Sequence, residues 1–98
     1  MKESKIQSKI IAHLEQSGAY VVKTIVSNRN GVPDLLGCYK GLFIGIEVKS
    51  DIGKASKLQE WNAERIKKAG GISIVAKTVE EVKELLEVID LIDLRGKQ

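Results

Sequence analysis

The chain has one cysteine, one proline, one histidine and four aromatic residues among its 98 positions. A lone Cys38 makes no internal disulfide, and with a single His13 there is no Cys/His cluster to hold zinc. The expected setting is reducing and cytoplasmic, in a bacterium or a virus-infected host cell. Tyr20, Tyr39, Phe43 and Trp61 are scattered and form no run of the kind that stacks on single-stranded bases. No apolar stretch reaches the ~18 residues of a membrane span, so no membrane role is expected. The charged N-terminal stretch is unlike a secretory signal.

What the chain does have is 43% hydrophobic and 30% charged residues, the balance of a soluble folded protein. The length implies a single domain over residues 1–98. The net charge of +3 is unevenly spread: residues 1–60 carry 9 basic and 6 acidic groups, residues 61–98 seven of each. The positive excess therefore lies in the first part of the chain, where an anionic partner fits.

Hydrophobic spacing predicts the order helix, strand, strand, strand, helix, strand, helix, a small α/β domain with a mixed sheet. The first helix, from about Ser4 to Gln16, carries Ile6, Ile10, Ile11 and Leu14 on one face and stops before Gly18. Tyr20 to Val26 reads as a β-branched strand. Leu35–Tyr39 and Leu42–Lys49 flank Lys40-Gly41 with hairpin spacing. Ser56 with Gln59 opens a second helix whose stripe is Leu58, Trp61, Ile66 and Ala69, so Trp61 reads as core. A short buried strand, Ile72 to Ala76, follows. Thr78 with Glu81 caps the last helix. That helix has apolar residues on more than one face, which suits either a well-buried terminal helix or a self-association surface.

The hairpin carries the chemistry. With Lys40-Gly41 as the loop, the cross-strand partners are Tyr39 with Leu42, Cys38 with Phe43 and Leu35 with Ile46, and the next pair down is Asp34 with Glu47. Opposed residues share a face with Cβ atoms ~4.5–5.5 Å apart. Alternation puts Lys49 on the Glu47 face too. Two carboxylates ~5 Å apart repel by roughly 3 kcal/mol at an effective dielectric near 20. Either a retained proton or a divalent cation relieves that repulsion, and oxygen ligands suit Mg²⁺ or Mn²⁺. The plainer alternative is that Glu47 and Lys49 form a solvated pair while Asp34 merely starts a turn after Pro33.

Gly31-Val32-Pro33-Asp34, then Ile46-Glu47-Val48-Lys49, then Gln59 inside the next helix resembles the PD-(D/E)XK nuclease superfamily, and within it the virus-type replication-repair nuclease (VRR-NUC) group. The Glu3-led first helix and the segment Gly53–Gln59, with Gly53, Ser56 and Gln59 at the group's spacing, extend the likeness over nearly the whole chain. The resemblance implies a restriction-endonuclease-like core and a Mg²⁺- or Mn²⁺-dependent DNA endonuclease, a homodimer that resolves four-way junctions. It makes Asp34, Glu47 and the Val48 carbonyl metal ligands, with Glu3 completing the acidic cluster. Lys49 would activate water and stabilise the phosphate, with Gln59 in support. Independently of the likeness, Ser4 with Gln7 offers a capping box that leaves Glu3 just outside the first helix, and the Ser56 cap gives Gln59 a structural alternative.

Lys23, Arg29, Asn30, Lys54, Ser56 and Lys57 are the candidates to hold a DNA backbone, selecting by shape rather than by sequence. The C-terminal apolar segment is the expected dimer surface. The rival readings are a restriction-type or non-specific endonuclease, a non-catalytic junction-binding module, and a subunit active only with a helicase or other replication partner.

Overall fold

The computed structural model describes residues 2–96. The elements are α1 (Glu3–Gln16), β1 (Tyr20–Lys23), β2 (Leu35–Tyr39), β3 (Leu42–Val48), α2 (Lys57–Lys68), β4 (Ile72–Ala76) and α3 (Val79–Gly96). They build one four-stranded sheet in the order β1-β2-β3-β4. The first two pairings are antiparallel and β3 pairs with β4 in parallel, so the sheet is mixed as the element order predicts. Lys40 and Gly41 both have positive φ, 50° and 82°, the geometry of a two-residue hairpin turn. That turn sets the register to Leu35 with Ile46, Cys38 with Phe43 and Tyr39 with Leu42.

Alternation along β3 sends its residues to two different environments. Ile44, Ile46 and Val48 are buried against Ile6, Ile10 and Leu14 of α1 and Val82, Leu86 and Ile89 of α3. The helical residues recur every three or four positions, one stripe per helix. On the opposite side, a Cβ at Gly45 would lie 2.9 Å from Pro33 and 3.0 Å from Ile66. Only glycine lets Pro33 and α2 settle onto the strand there. The hairpin tip is tied to α3 by Asp90, which accepts from the Tyr39 hydroxyl at 2.6 Å and pairs with the Lys40 ammonium at 2.7 Å. Those two partners hold the Asp90 carboxyl below its usual range.

Several local expectations are revised. β1 stops at Lys23 rather than Val26, because the next partner after Thr24 and Asp34 is Pro33, which has no N–H to extend the ladder. Thr24 ends the pairing, its N–H reaching the Asp34 carbonyl at 2.8 Å and its hydroxyl the Pro33 carbonyl at 2.8 Å. Ile25 and Val26 are left exposed. The Ser4–Gln7 capping box does not form: α1 starts at Glu3 with Lys2 before it, and the Lys5 and Ile6 amides bond the Lys2 carbonyl. In α2, Leu58 and Trp61 are exposed, as is Ala69 at its C-cap, and Asn62 is the buried residue, since a sheet on one side only leaves the rest of the helix to solvent. β4 is only half buried, being an edge strand, although Ala76 at its end is fully enclosed. In the Thr78 cap, Glu81 accepts from the Lys77 amide, one residue earlier than a standard box. Along α3, Val82, Leu86 and Ile89 are buried while Val88, Leu91, Ile92 and Leu94 are exposed.

Candidate active site

Asp34 stands where β2 begins, held by its backbone and its side chain. Its carbonyl accepts from Thr24, and its Oδ2 accepts the Val48 N–H at 2.8 Å. That second bond crosses the hairpin to β3 and presents the carboxylate beside Glu47. Glu47 is 5% exposed, and its Oε2 is buried without a hydrogen-bond partner. Lys49, on the same face two residues on, brings its Nζ to 4.0 Å from Glu47 Oε1. Two acids and a lysine therefore converge where register counting puts them.

The electrostatics are those of an under-neutralised pair. The Glu47 carboxyl is pushed up to about 8, first by burial, then by the neighbouring Asp34 carboxyl and its charge. Lys49 pulls it back down, and Glu3 adds a small push upward. A buried carboxylate oxygen with nothing to bond is costly, and it is where a cation gains most. The donors are hard oxygens, which suits Mg²⁺ or Mn²⁺. Among the described residues no three His, Cys, Asp or Glu side chains form a metal-holding cluster.

The same backbone arrangement is found in solved structures. One, a VRR_NUC domain, superposes with a TM-score of 0.75 at 30% sequence identity, covering 87% of this chain and 94% of that one. The chain belongs to the VRR-NUC family. A second solved structure, a VRR_NUC domain protein, gives a TM-score of 0.71 at 19% identity over 89% of this chain and 86% of that one, a likeness of fold. No family profile and no curated protein matches the sequence. Membership of the VRR-NUC family makes the chain a nuclease of the PD-(D/E)XK type.

The remaining candidates of this VRR-NUC domain divide by position. Glu3, in the first turn of α1, is exposed; its Oε2 accepts the Ser50 N–H at 3.1 Å and so straps the segment after Lys49 to α1. A Cβ on Gly53 would come within 3.3 Å of both Glu3 Oε2 and Lys49 Cβ, so this turn packs directly behind the lysine. Gln59 completes the expected cap: its Oε1 accepts from Ser56 N–H at 2.8 Å and its own N–H donates to the Ser56 hydroxyl at 3.1 Å. It also lines a cavity of about 270 Å³ together with Glu47, Pro33 and Ala55. Capping and a place beside Glu47 are thus compatible. Lys23, Arg29, Asn30, Lys54, Ser56 and Lys57 are all exposed. Lys23 ends β1, Arg29 and Asn30 lie in the following loop, and Lys54, Ser56 and Lys57 surround the start of α2. None of the four cations has an ion-pair partner among the described residues.

Sequence reading missed Asn62. It is 4% exposed, and its Nδ2 donates to Leu58 O at 2.9 Å and to Asn30 O at 3.0 Å. The second bond fastens the loop that delivers Asp34 to α2. A polar residue between the apolar Leu58 and Ile66, four from each, is the only signal the sequence offers. Gly31 seats the same loop: its φ is 81°, and a Cβ there would lie 2.6 Å from Leu58 Cγ and 3.0 Å from the Leu58 carbonyl carbon. Asn62→Ala is expected to cost about 1–3 kcal/mol through the orphaned carbonyl. Gly31→Ala should exceed about 2 kcal/mol, since backbone strain and overpacking add. Urea midpoints measure both; an unchanged midpoint in either variant would dissociate that residue from loop seating.

Proposed function

We propose that residues 1–98 act as one nuclease domain that hydrolyses phosphodiester bonds in branched DNA, four-way junctions included, with Mg²⁺ or Mn²⁺ and as a homodimer. The observation that carries this reading is the unpartnered Glu47 Oε2 beside Asp34, with Lys49 on the same face. Asp34, Glu47 and the Val48 carbonyl would hold the cation. When bound, such an ion acidifies water and polarises a non-bridging phosphate oxygen. To hold the ion Glu47 would give up its proton. Asp34 stays aimed by the Val48 N–H. The Lys49 ammonium faces negative charge gathering on the phosphoryl oxygens, stabilisation worth most in a site of low polarity. No histidine base is needed, and His13 stands apart in α1, against Ser17. Glu3 and Gln59 act through Lys49 and the α2 cap, and the six exposed polar and basic residues contact the DNA backbone.

Dimerisation is supported by α3, where Val88, Leu91 and Ile92 are 53–63% exposed on one face. Two sites related by a two-fold axis suit a symmetric four-way junction. A replication or helicase partner and a cytoplasmic setting belong to the same reading. The test is to offer labelled four-way, flap, single-stranded and linear duplex DNA to wild type and Asp34→Ala, with Mg²⁺, Mn²⁺ or EDTA. Junction cleavage by wild type with metal alone is expected. Equal cutting of linear duplex at one fixed sequence would favour a restriction-type enzyme, and activity only with an added helicase a dependent subunit. Undiminished cleavage by Asp34→Ala would remove the site assignment.

A further inference from the structure

The face of the sheet opposite the core is only half covered. Register sets Tyr20 beside Cys38 and Cys38 beside Phe43, and directly opposed residues share a face. Phe43 and Glu47 share a face by alternation, so Tyr20 and Phe43 look out on the same side as the candidate active site. α2 packs over Gly45 and leaves Tyr20 72% and Phe43 44% exposed. On α2, Trp61 is 50% exposed, with the Arg65 guanidinium 5.2 Å from its ring. Tyr20 and Phe43 are thus exposed on this side and Trp61 on the helix that packs against it, while the fourth aromatic, Tyr39, is buried in the core. Of these rings Phe43 lines a cleft of about 500 Å³, together with Leu36, Arg29 and Arg65, and Arg65 links it to Trp61.

The chemistry of the cleft selects its occupant. Its lining holds two arginines and no acid, and neither arginine has a carboxylate partner among the described residues. A second copy docked by a two-fold axis, cleft to cleft, would bury these arginines with no acid in the lining to neutralise them. An unpaired DNA strand supplies both missing partners: phosphates for the guanidinium groups and flat bases for the aromatic rings. Pro33 lines both this cleft and the Glu47 cavity, so the two adjoin.

We propose that this open half of the sheet is a stacking platform for the unpaired strand of a branched DNA, leading that strand into the Asp34–Glu47 site. It rests on the nuclease reading above and names the form of substrate that the site takes.

Trp61 is the only tryptophan, and with its ring 5.2 Å from the Arg65 guanidinium of the cleft its fluorescence reports on an occupant there. Wild type is titrated in EDTA with an oligothymidylate of about ten nucleotides and with an equally long chain of abasic sites. The thymidylate is expected to quench Trp61 and to bind at least about tenfold more tightly. Tyr20→Ala and Phe43→Ala should each weaken thymidylate binding roughly 5- to 100-fold and leave abasic binding unchanged. Equal affinity for the two chains, or variants that bind thymidylate like wild type, would overturn the platform. So would Trp61 becoming shielded from acrylamide as protein concentration rises, which would place a second copy on this face. Junction cleavage with Mn²⁺, run in parallel, separates the two claims. Base-dependent binding without cleavage removes the nuclease reading and keeps the platform; cleavage without base dependence does the reverse.

Discussion

Replacing Glu47 by glutamine is expected to remove cleavage and, at alkaline pH without metal, to raise the melting temperature. The two effects have one cause. Unfolded, the Glu47 carboxyl ionises near 4.5; folded, it is held up to about 8 by burial and by Asp34. Below pH 4.5 both states carry the proton, and the folded state keeps its full advantage. Between 4.5 and 8 the unfolded chain ionises while the folded one resists, so stability falls as pH rises. Above 8 the loss is complete. Metal-free wild type should therefore melt progressively lower from pH 5 to pH 8.5. Glu47→Gln keeps the shape, never charges, and should melt at a nearly constant temperature that exceeds wild type at pH 8.5. A cation reverses the sense for wild type, because it must displace that proton. Apparent Mn²⁺ affinity should rise about tenfold per pH unit below 8 and then level off. The glutamine variant should lose that dependence and at least about 10²–10³-fold in cleavage rate. Calorimetric melts and Mn²⁺ titrations at four pH values decide it. A wild-type melting temperature indifferent to pH would mean that Glu47 is not strained by its surroundings.

Lys49→Ala should reduce the single-turnover cleavage rate by about 10²–10³-fold while leaving junction affinity close to wild type. The ammonium lies 4.0 Å from Glu47 Oε1 and is itself largely enclosed, so its charge acts within the site rather than on approaching DNA. Its removal has a second signature. Lys49 lowers the Glu47 carboxyl, so without it Glu47 should titrate higher, and the alkaline loss of stability should extend above pH 8. A purely structural role for the lysine would leave that profile where it was. If the alanine variant cuts at the wild-type rate, charge stabilisation by Lys49 is excluded.

The hairpin was readable because its determinants are local. Lys40-Gly41 accepts two positive φ angles, a two-residue loop allows one register, and register with alternation carries Asp34, Glu47 and Lys49 to one face. The Ser56–Gln59 cap was readable for the same reason. Where β1 ends was not, because the residue that ends it, Pro33, is a neighbour across the sheet, nine residues beyond Thr24, and only the register brings the two together. Trp61 was misread for a related cause: helical spacing shows that residues share a side, not whether anything covers it. Asn62 inverted the pattern, since its polarity is satisfied by a carbonyl 32 residues away.

Composition and short-range pattern were enough for the order of elements, the mixed sheet and the acid–acid–lysine juxtaposition, all products of turn geometry and a period of two. The burial that lifts Glu47 to about 8, the loop latched by Asn62, and the exposure of Tyr20, Phe43 and Trp61 arose only on packing. Each depends on which segments cover which, and solvent exclusion is a property of the assembled layers that no single stretch of chain possesses.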